Sequence, residues 1–312
     1  MTNQPNYRIV RIFHEPPAFD VRDTVADFPG RPSRELYEPV VQWDEIAAEY
    51  GPSLHGDATS WREKVLNLSN PEVLENSDDH SPLRCNFVVS HDIRMARDNS
   101  NPRVSANDLF QLASGSIIRT RDDYIIMGSR GTPPGQTITE ARLERFASPM
   151  FGFPAGGSVS YRESYNLNPI ADTITDEFAE EIGPRFEITK QRLIGVFEAG
   201  LPGPTGYNFL TLVDTDATAL QIQRDNFEAR VLFWGLIGKS DPQTSKELEH
   251  AVQEAREMLK RKNFPLDAWE HDSLSRVRND KVVLENKLLY DELPGITAGA
   301  LATYTSVFDE VN

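Results

Sequence analysis

The stretch TDEFAEEIG, from Thr175 to Gly183, contains four acidic residues among nine. In a helix, Glu177, Glu180 and Glu181 stand at positions i, i+3 and i+4. Their carboxylates then lie on one face and repel each other. The stretch therefore fits either a solvated acidic face or a carboxylate cluster that binds a cation.

The residues around this stretch are predicted to form a helix. Asn168 suits the N-cap, Pro169 the first turn and Gly183 the C-cap. Apolar residues recur every four positions and define a buried stripe: Ile170, Ile174, Phe178 and Ile182. At about 100° per residue, the three glutamates lie beside this stripe. Asp172 and Asp176 lie farther round, where we expect exposure to solvent.

The acidic pattern has an internal control, because Glu75, Asp78 and Asp79 repeat it in a segment rich in turn formers. The residues before the helix add information. Gly156 and Gly157 form a pair that lets the backbone approach a ligand and expose its N–H groups. Carboxylate oxygens are preferred ligands of Mg²⁺ and Mn²⁺. Loop and helix together favour a divalent-cation site over a solvated face.

The composition indicates a folded protein with an acidic surface. Of 312 residues, 39% are hydrophobic and 9% aromatic, which suffices for a core. The net charge of −16 disfavours binding to nucleic acid or to an anionic membrane. The single cysteine, Cys85, excludes an intrachain disulfide. No apolar run has the length of a signal peptide or a membrane span, so we expect a cytoplasmic protein.

Strand and helix patterns are interspersed, which predicts an α/β fold with a mixed sheet. Apolar, β-rich runs predict a hairpin and three further strands: 115–131, 192–200, 207–215 and 229–238. Two helices are predicted towards the C-terminus: 245–262 and 296–308. Nearer the N-terminus, the patterns predict a helix, an exposed loop and a strand: 34–51, 69–82 and 85–93.

Taken together, these residues resemble the Nudix hydrolases. The family box begins with Gly and Glu, matched by Gly157 and Glu163, and ends in Arg-Glu-x-x-Glu-Glu-x-Gly, matched by 176–183. Asp176 stands where the family has Arg. Twelve residues separate Glu163 from Asp176, five more than in the family pattern. A divergent branch that hydrolyses UDP-glucose is similar in its enlarged loop and missing Arg, which points to nucleotide sugars.

The resemblance implies a Nudix-like α/β/α sandwich with a mixed sheet, an N-terminal extension and C-terminal helices. It divides the chain into an accessory region, a catalytic domain and a helical part that packs on it: 1–105, 106–240 and 241–312. The implied activity is Mg²⁺-dependent hydrolysis of the diphosphate linkage in a nucleoside diphosphate derivative, giving a nucleoside monophosphate and a sugar phosphate.

The resemblance also assigns roles to residues. The Mg²⁺ or Mn²⁺ ligands would be Glu163, Glu177, Glu180 and Glu181, and the last three would be catalytic. Substrate would contact Arg130, Gly156 and Gly157. The base that activates water stays open between a box carboxylate and a later acid, with Glu198 and Glu228 as candidates.

A second interpretation remains open, namely a non-catalytic Nudix-like module that binds a nucleotide and regulates a partner. The acid at position 176 and the five-residue insertion before the helix favour the module, whereas retention of all three helix glutamates favours the enzyme. The expected partner is a small nucleoside diphosphate derivative, with no nucleic acid and no membrane, and the sequence is compatible with a homodimer.

Overall fold

Strands outnumber helices in the part of the chain that the computed structural model describes. The described residues are 7–25, 64–76, 80–89, 109–131, 134–135, 151–199, 206–280, 282 and 295–309. The predicted helix at 34–51 lies outside them. None of the described helices is long and apolar enough to cross a membrane.

The strands are β1 Tyr7–Ile12, β2 Phe19–Val25, β3 Lys64–Leu68, β4 Leu83–Val89, β5 Leu112–Arg119, β6 Tyr124–Arg130, β7 Phe151–Gly152, β8 Ile188–Ala199, β9 Tyr207–Thr215 and β10 His271–Arg278. The α-helices are α1 Glu72–Glu75, α2 Pro169–Glu177, α3 Ala219–Ser240, α4 Ser245–Arg261 and α5 Gly295–Asp309. A π-helical turn, Phe178–Ile182, continues α2, and a 3₁₀ turn, Ala268–Glu270, precedes β10.

The central sheet has the order β1-β8-β9-β5-β6-β10, and β7 pairs with β6. Strands β5 and β9 are parallel, whereas the other described pairs in this sheet are antiparallel. The sheet is therefore mixed, as predicted. The domain division itself stays a prediction, but β1 and β10, which lie outside residues 106–240, both hydrogen-bond into this sheet.

Side chains alternate along each strand, so the sheet has two apolar faces. Different helices cover them. On one face, Leu112 and Ile118 of β5 belong to the core that includes Ile170 and Ile174 of α2. On the other face, Ile117 packs in a core with Tyr304 of α5 and its neighbours. The fold is thus an α/β/α sandwich, as predicted, and helices α3 and α4 add a third apolar cluster.

A second sheet braces the loop that precedes α2. Its order is β2-β4-β3, with β2 parallel and β3 antiparallel to β4. The Leu66 N–H donates to the Val159 carbonyl at 2.7 Å, and the Tyr161 N–H donates to the Lys64 carbonyl at 2.6 Å. The N-terminal region therefore supports the loop before α2 directly.

Most predicted elements are confirmed, including the hairpin β5–β6, strands β8 and β9, and helices α4 and α5. The strand predicted at 229–238 is wrong, because these residues belong to helix α3. The exposed loop predicted at 69–82 is wrong in part, since α1 lies within it and buries Val73 and Leu74.

Candidate functional site

The helix that contains the acidic stretch begins and ends as its sequence predicts. Asn168 Oδ1 accepts the Ala171 N–H at 2.6 Å, and Pro169 occupies the first turn. The apolar stripe is buried throughout. The last turn is π-helical, closed by the Gly183 N–H donating to the Phe178 carbonyl at 3.0 Å. Gly183 has φ +127°, which a side chain would strain. π-helical turns occur often at functional sites.

The two aspartates of the helix differ in exposure. Asp176 is exposed and pairs with Arg162 of the preceding loop, so its charge has a partner. The prediction that Asp172 faces solvent is wrong, because this residue is only 5% exposed. Asp172 Oδ2 accepts the Asn166 N–H at 2.7 Å. The loop that precedes α2 folds back onto the helix and thereby buries this carboxylate.

The loop from β7 to the glycine pair lies on the α2 face of β5. Ser116 Oγ donates to the Pro154 carbonyl at 2.7 Å, and the Ser114 N–H donates to the Gly157 carbonyl at 2.8 Å. Ala155 is fully buried with φ +59°, a conformation uncommon for a residue with a side chain. Such conformations persist where the surrounding contacts enforce them, and they cluster at functional sites.

The two glycines have different neighbours. A Cβ at Gly156 would lie 2.7 Å from the Ser114 carbonyl oxygen, so the close approach to the β5 backbone requires glycine. A Cβ at Gly157 would lie 2.8 Å from Glu177 Oε1. The structure thus places a helix glutamate directly over the glycine that begins the box.

Glu181 is 4% exposed, and hydrogen bonds to Ala155, His271 and Glu177 hold its side chain. Its Oε2 accepts the Ala155 N–H at 3.1 Å and lies 2.6 Å from His271 Nε2. Burial alone would favour the neutral acid, but the bonds from His271 and Ala155 lower the pKa of Glu181. The side chain is therefore ionised, and His271 Nε2 is the donor, since a carboxylate only accepts.

The pKa of Glu177 is shifted in the opposite direction from that of Glu181. Burial, and then the charge of Glu181, raise its pKa to about 9. Burial and the nearby charge of Asp267 also raise the pKa of Glu180, whose carbonyl accepts the Asp267 N–H at 2.9 Å. Glu270 adds to the repulsion at Glu177. The glutamates thus form an acidic cluster, and the charges around it are mostly negative.

His271 is a site residue that the sequence did not reveal. It is 4% exposed and begins β10, paired in register with Arg130 of β6. A Cβ at Gly128 would lie 2.3 Å from His271 Nδ1, so the ring occupies space that glycine leaves. A lone histidine ninety residues after Glu181 gives no sequence signal, and only the sheet register brings the two together.

The remaining residues predicted for the site have different surroundings. The Arg130 side chain is outside the described part of the chain. Glu163 is exposed, and among the described residues no hydrogen bond or ion pair joins it to the helix glutamates. Glu198 is ion-paired with Arg8 at 2.7 Å, and Glu228 with Arg224 at 2.8 Å. Both later acids thus have cationic partners of their own.

The donor chemistry of the cluster fits a divalent cation. Glu177 and Glu181 are adjacent carboxylates in a buried setting, and Glu177 forms no ion pair within the described residues. A cation between such groups would relieve their repulsion. In the described part of the chain, no three His, Cys, Asp or Glu side chains are already arranged to hold a metal ion. A rotamer change of Glu177 or Glu180 would be needed to complete a ligand set.

Comparisons with known proteins return only distant structural likenesses. No family model and no curated protein matches the sequence. Tm1382, described as a candidate Nudix hydrolase, is 10% identical with a TM-score of 0.41, over 79% of this chain and 100% of that one. The MutT protein from Methanosarcina mazei Go1 is 14% identical with a TM-score of 0.32, over 65% of this chain and 96% of that one.

A Nudix hydrolase from Nitrosomonas europaea is 13% identical with a TM-score of 0.24, over 51% of this chain and 94% of that one. Identities this low bear on the fold alone, and TM-scores below 0.5 carry no argument about chemistry.

Proposed function

We propose that the protein is a pyrophosphohydrolase of the Nudix type that cleaves the diphosphate of a nucleotide sugar in the presence of Mg²⁺ or Mn²⁺. One observation carries the proposal: the half-buried Glu177 and the buried Glu181 meet at the end of helix α2, against the Gly156-Gly157 loop. Two adjacent carboxylates away from water are unfavourable unless a proton on one of them, or a bound cation, offsets their charge.

Three side chains would hold the cation, namely Glu177, Glu180 and Glu181. When bound, a divalent ion offsets the negative charge that develops on the diphosphate oxygens. Glu181 is ready as a ligand, because His271 and the Ala155 N–H keep it ionised and fix its orientation. Glu177 holds a proton at neutral pH in the metal-free protein and must release it to become a ligand.

The loop supplies the second part of the site. Gly156 and Gly157 carry no side chain between β5 and Glu177, which leaves the peptide backbone close to the carboxylates. A substrate diphosphate could approach the cluster along this backbone. In the reaction, a water oxygen bonds to one phosphorus, the bridging P–O bond breaks, and the water proton is released. The products are a nucleoside monophosphate and a sugar phosphate.

The decisive experiment incubates the purified protein with UDP-glucose and a panel of other nucleotide sugars, with Mg²⁺, with Mn²⁺ or with EDTA. Release of a nucleoside monophosphate and a sugar phosphate, abolished by EDTA, is the expected result. Reaction in ¹⁸O-labelled water followed by mass spectrometry identifies the phosphorus that is attacked. Release of a nucleoside diphosphate or a free base, without any nucleoside monophosphate, would contradict the proposed bond cleavage.

A regulatory module is the second candidate, favoured by Asp176 in place of the family arginine and by the lack of a pre-arranged ligand set in the described residues. Calorimetry separates the two candidates. Saturable binding of a nucleotide sugar without turnover, under every metal condition tested, would support the module and reject the enzyme.

A further inference from the structure

A cationic cleft lies on the α5 face of the central sheet, away from the glutamates. It has a volume of about 100 Å³ and is lined by Arg119, Lys190, Arg192, Leu212 and Asp214. Three of the four charged lining residues are cations, which is unusual in a chain of net charge −16. We propose that this cleft binds the phosphate group of a small molecule.

Strand register places the charges side by side. Asp214 of β9 is opposite Lys190 on β8 and opposite Arg119 on β5. Arg192 is opposite Leu212, one step along the same face. Because residues i and i+2 of a strand point to the same side, Lys190 and Arg192 project together. The cleft is therefore built on three adjacent strands of the sheet.

Asp214 orients Arg119 and leaves the other two cations uncompensated. Arg119 Nε and Nη2 donate to the two Asp214 oxygens at 2.8 and 3.0 Å, which fixes the plane of the guanidinium. Within the described residues, the third nitrogen of Arg119, Nη1, and the side chains of Lys190 and Arg192 form no hydrogen bond or ion pair. An anion with several acceptor oxygens can bond to all three groups at once.

The size of the cleft limits the ligand. The cleft is small, with a volume of about 100 Å³. That space admits a phosphate group, while any attached sugar or nucleoside would extend into solvent. Inorganic phosphate and phosphate monoesters share this recognition chemistry.

The cleft is separate from the glutamate cluster. Leu212, which lines the cleft, and Ile194, the next residue after Arg192 on the same face of β8, belong to the apolar core that packs against α5. The helix that contains the glutamates packs in the core of the opposite face. Phosphate binding here is thus independent of the proposed hydrolase activity, and it can be measured without any metal.

The test is calorimetric titration in EDTA at constant ionic strength, with inorganic phosphate, glucose 1-phosphate and UMP as separate probes. We expect saturable, millimolar or tighter binding to the unmodified protein. Lys190→Ala/Arg192→Ala should weaken it at least about tenfold, since two charge-assisted hydrogen bonds are removed. Equal affinity for all three probes indicates that the phosphate alone is recognised. Tighter binding of one monoester identifies that ester as the source of the phosphate.

The matched control is Lys260→Ala/Arg261→Ala, which removes the same two charges from the exposed end of α4. This variant should bind phosphate as the unmodified protein does. If the double cleft variant does not fold, Lys190→Ala alone tests an exposed side chain and should weaken binding about threefold. The proposal is overturned if no binding saturates below about 20 mM phosphate, or if the control weakens binding as much as the cleft variant.

Discussion

The two faces of the central sheet both gather like charges, but they do so in different environments. On the α2 face, Glu177 and Glu181 are partly or fully buried, and the pKa of Glu177 rises to about 9. On the α5 face, Lys190 and Arg192 line an open cleft beside an arginine that already has its carboxylate. Water screens the charges of the second group more than those of the first.

This difference shows why burial, rather than the number of charges, distinguishes a candidate catalytic site. Repulsion between screened cations is weak and leaves the fold unaffected. Loss of water around a carboxylate, reinforced by the charge of a neighbouring carboxylate, is enough to hold a proton on one of them at neutral pH. We therefore expect substitutions on the α2 face to change activity strongly, in a graded order that reflects each residue's distance from the proposed ligand set.

The largest effect is expected for Glu181→Gln. This substitution keeps the shape of the side chain but removes the negative charge that His271 and the Ala155 N–H orient. Turnover of the best nucleotide sugar should fall about 100- to 1,000-fold. Steady-state kinetics at saturating Mg²⁺ measure the loss.

Glu187→Gln is the matched control, because Glu187 is an exposed acid just beyond the same helix. It should retain the activity of the unmodified protein. Undiminished turnover of Glu181→Gln would show that the buried carboxylate takes no part in the reaction.

The next effect is expected for His271→Ala. Loss of the Nε2 donor frees the Glu181 carboxylate to rotate and removes its main stabilising bond. Residues that orient metal ligands typically contribute about 10- to 100-fold to metal affinity or activity. The measurement is the Mg²⁺ dependence of turnover, with thermal unfolding recorded in parallel.

His271→Gln offers an amide donor at a similar reach and should recover part of the activity. A role in folding alone would lower the unfolding temperature of both variants and leave the Mg²⁺ dependence of the folded fraction unchanged.

Gly157→Ala should have a smaller effect on activity. The new Cβ would displace Glu177 Oε1, the end of a flexible side chain, from a distance of 2.8 Å. A shift of this kind should lower turnover about tenfold with little loss of stability, since small misplacements of reacting groups slow catalysis. Kinetics and thermal unfolding measure the two quantities separately.

Two neighbouring glycines serve as controls. Gly152→Ala meets nothing within 4 Å and should leave activity intact, whereas Gly156→Ala meets the β5 backbone and should destabilise the fold. If Gly157→Ala and Gly152→Ala behave alike, the carboxylate of Glu177 does not lie over the loop.

The smallest effect concerns pH and stability in the metal-free protein. Because the folded-state pKa of Glu177 is raised to about 9, its contribution to stability is full below the unfolded-state pKa of about 4.5. That contribution is lost as the pH rises towards 9. Glu177→Gln removes this loss, so its unfolding temperature should exceed that of the unmodified protein by a margin that grows from pH 5 to pH 9.

Calorimetric scans in EDTA measure the margin, which should be largest at the alkaline end and should correspond to about 2–4 °C for each kcal/mol of stability. Saturating Mg²⁺ should reverse it, because only the unmodified protein has the full ligand set. A margin that is constant with pH would mean that Glu177 is not buried against another carboxylate.

Local sequence patterns predicted the box helix well and helix α3 badly, and the contrast has a physical cause. Asn168, Pro169 and Gly183 are signals that act on adjacent backbone groups. The run at 229–238 contains Val231, Phe233 and Trp234, which favour strands, whereas the capping box of α3 lies upstream at Thr218. The apolar residues that pack against α4, including Phe233, override that local preference.

In the candidate site, too, features that depend on adjacent residues were predicted and a feature that depends on the loop was not. Spacing on one helix predicted that Glu177, Glu180 and Glu181 share a face beside the core, and the structure places Glu177 and Glu181 together. Exposure of Asp172 was wrongly predicted because the enlarged loop covers it. The roles assigned to Glu163 and Arg130 stay predictions.

By itself, the sequence determined the α/β class, the capped acidic helix and the glycine pair before it, because each depends on residues a few positions apart. Only the tertiary structure decided which charges are buried and what they contact. The pairing of β6 with β10 places His271 against Glu181, and the register of β5, β8 and β9 assembles the cationic cleft. Both depend on contacts between residues far apart in the chain, which no local pattern encodes.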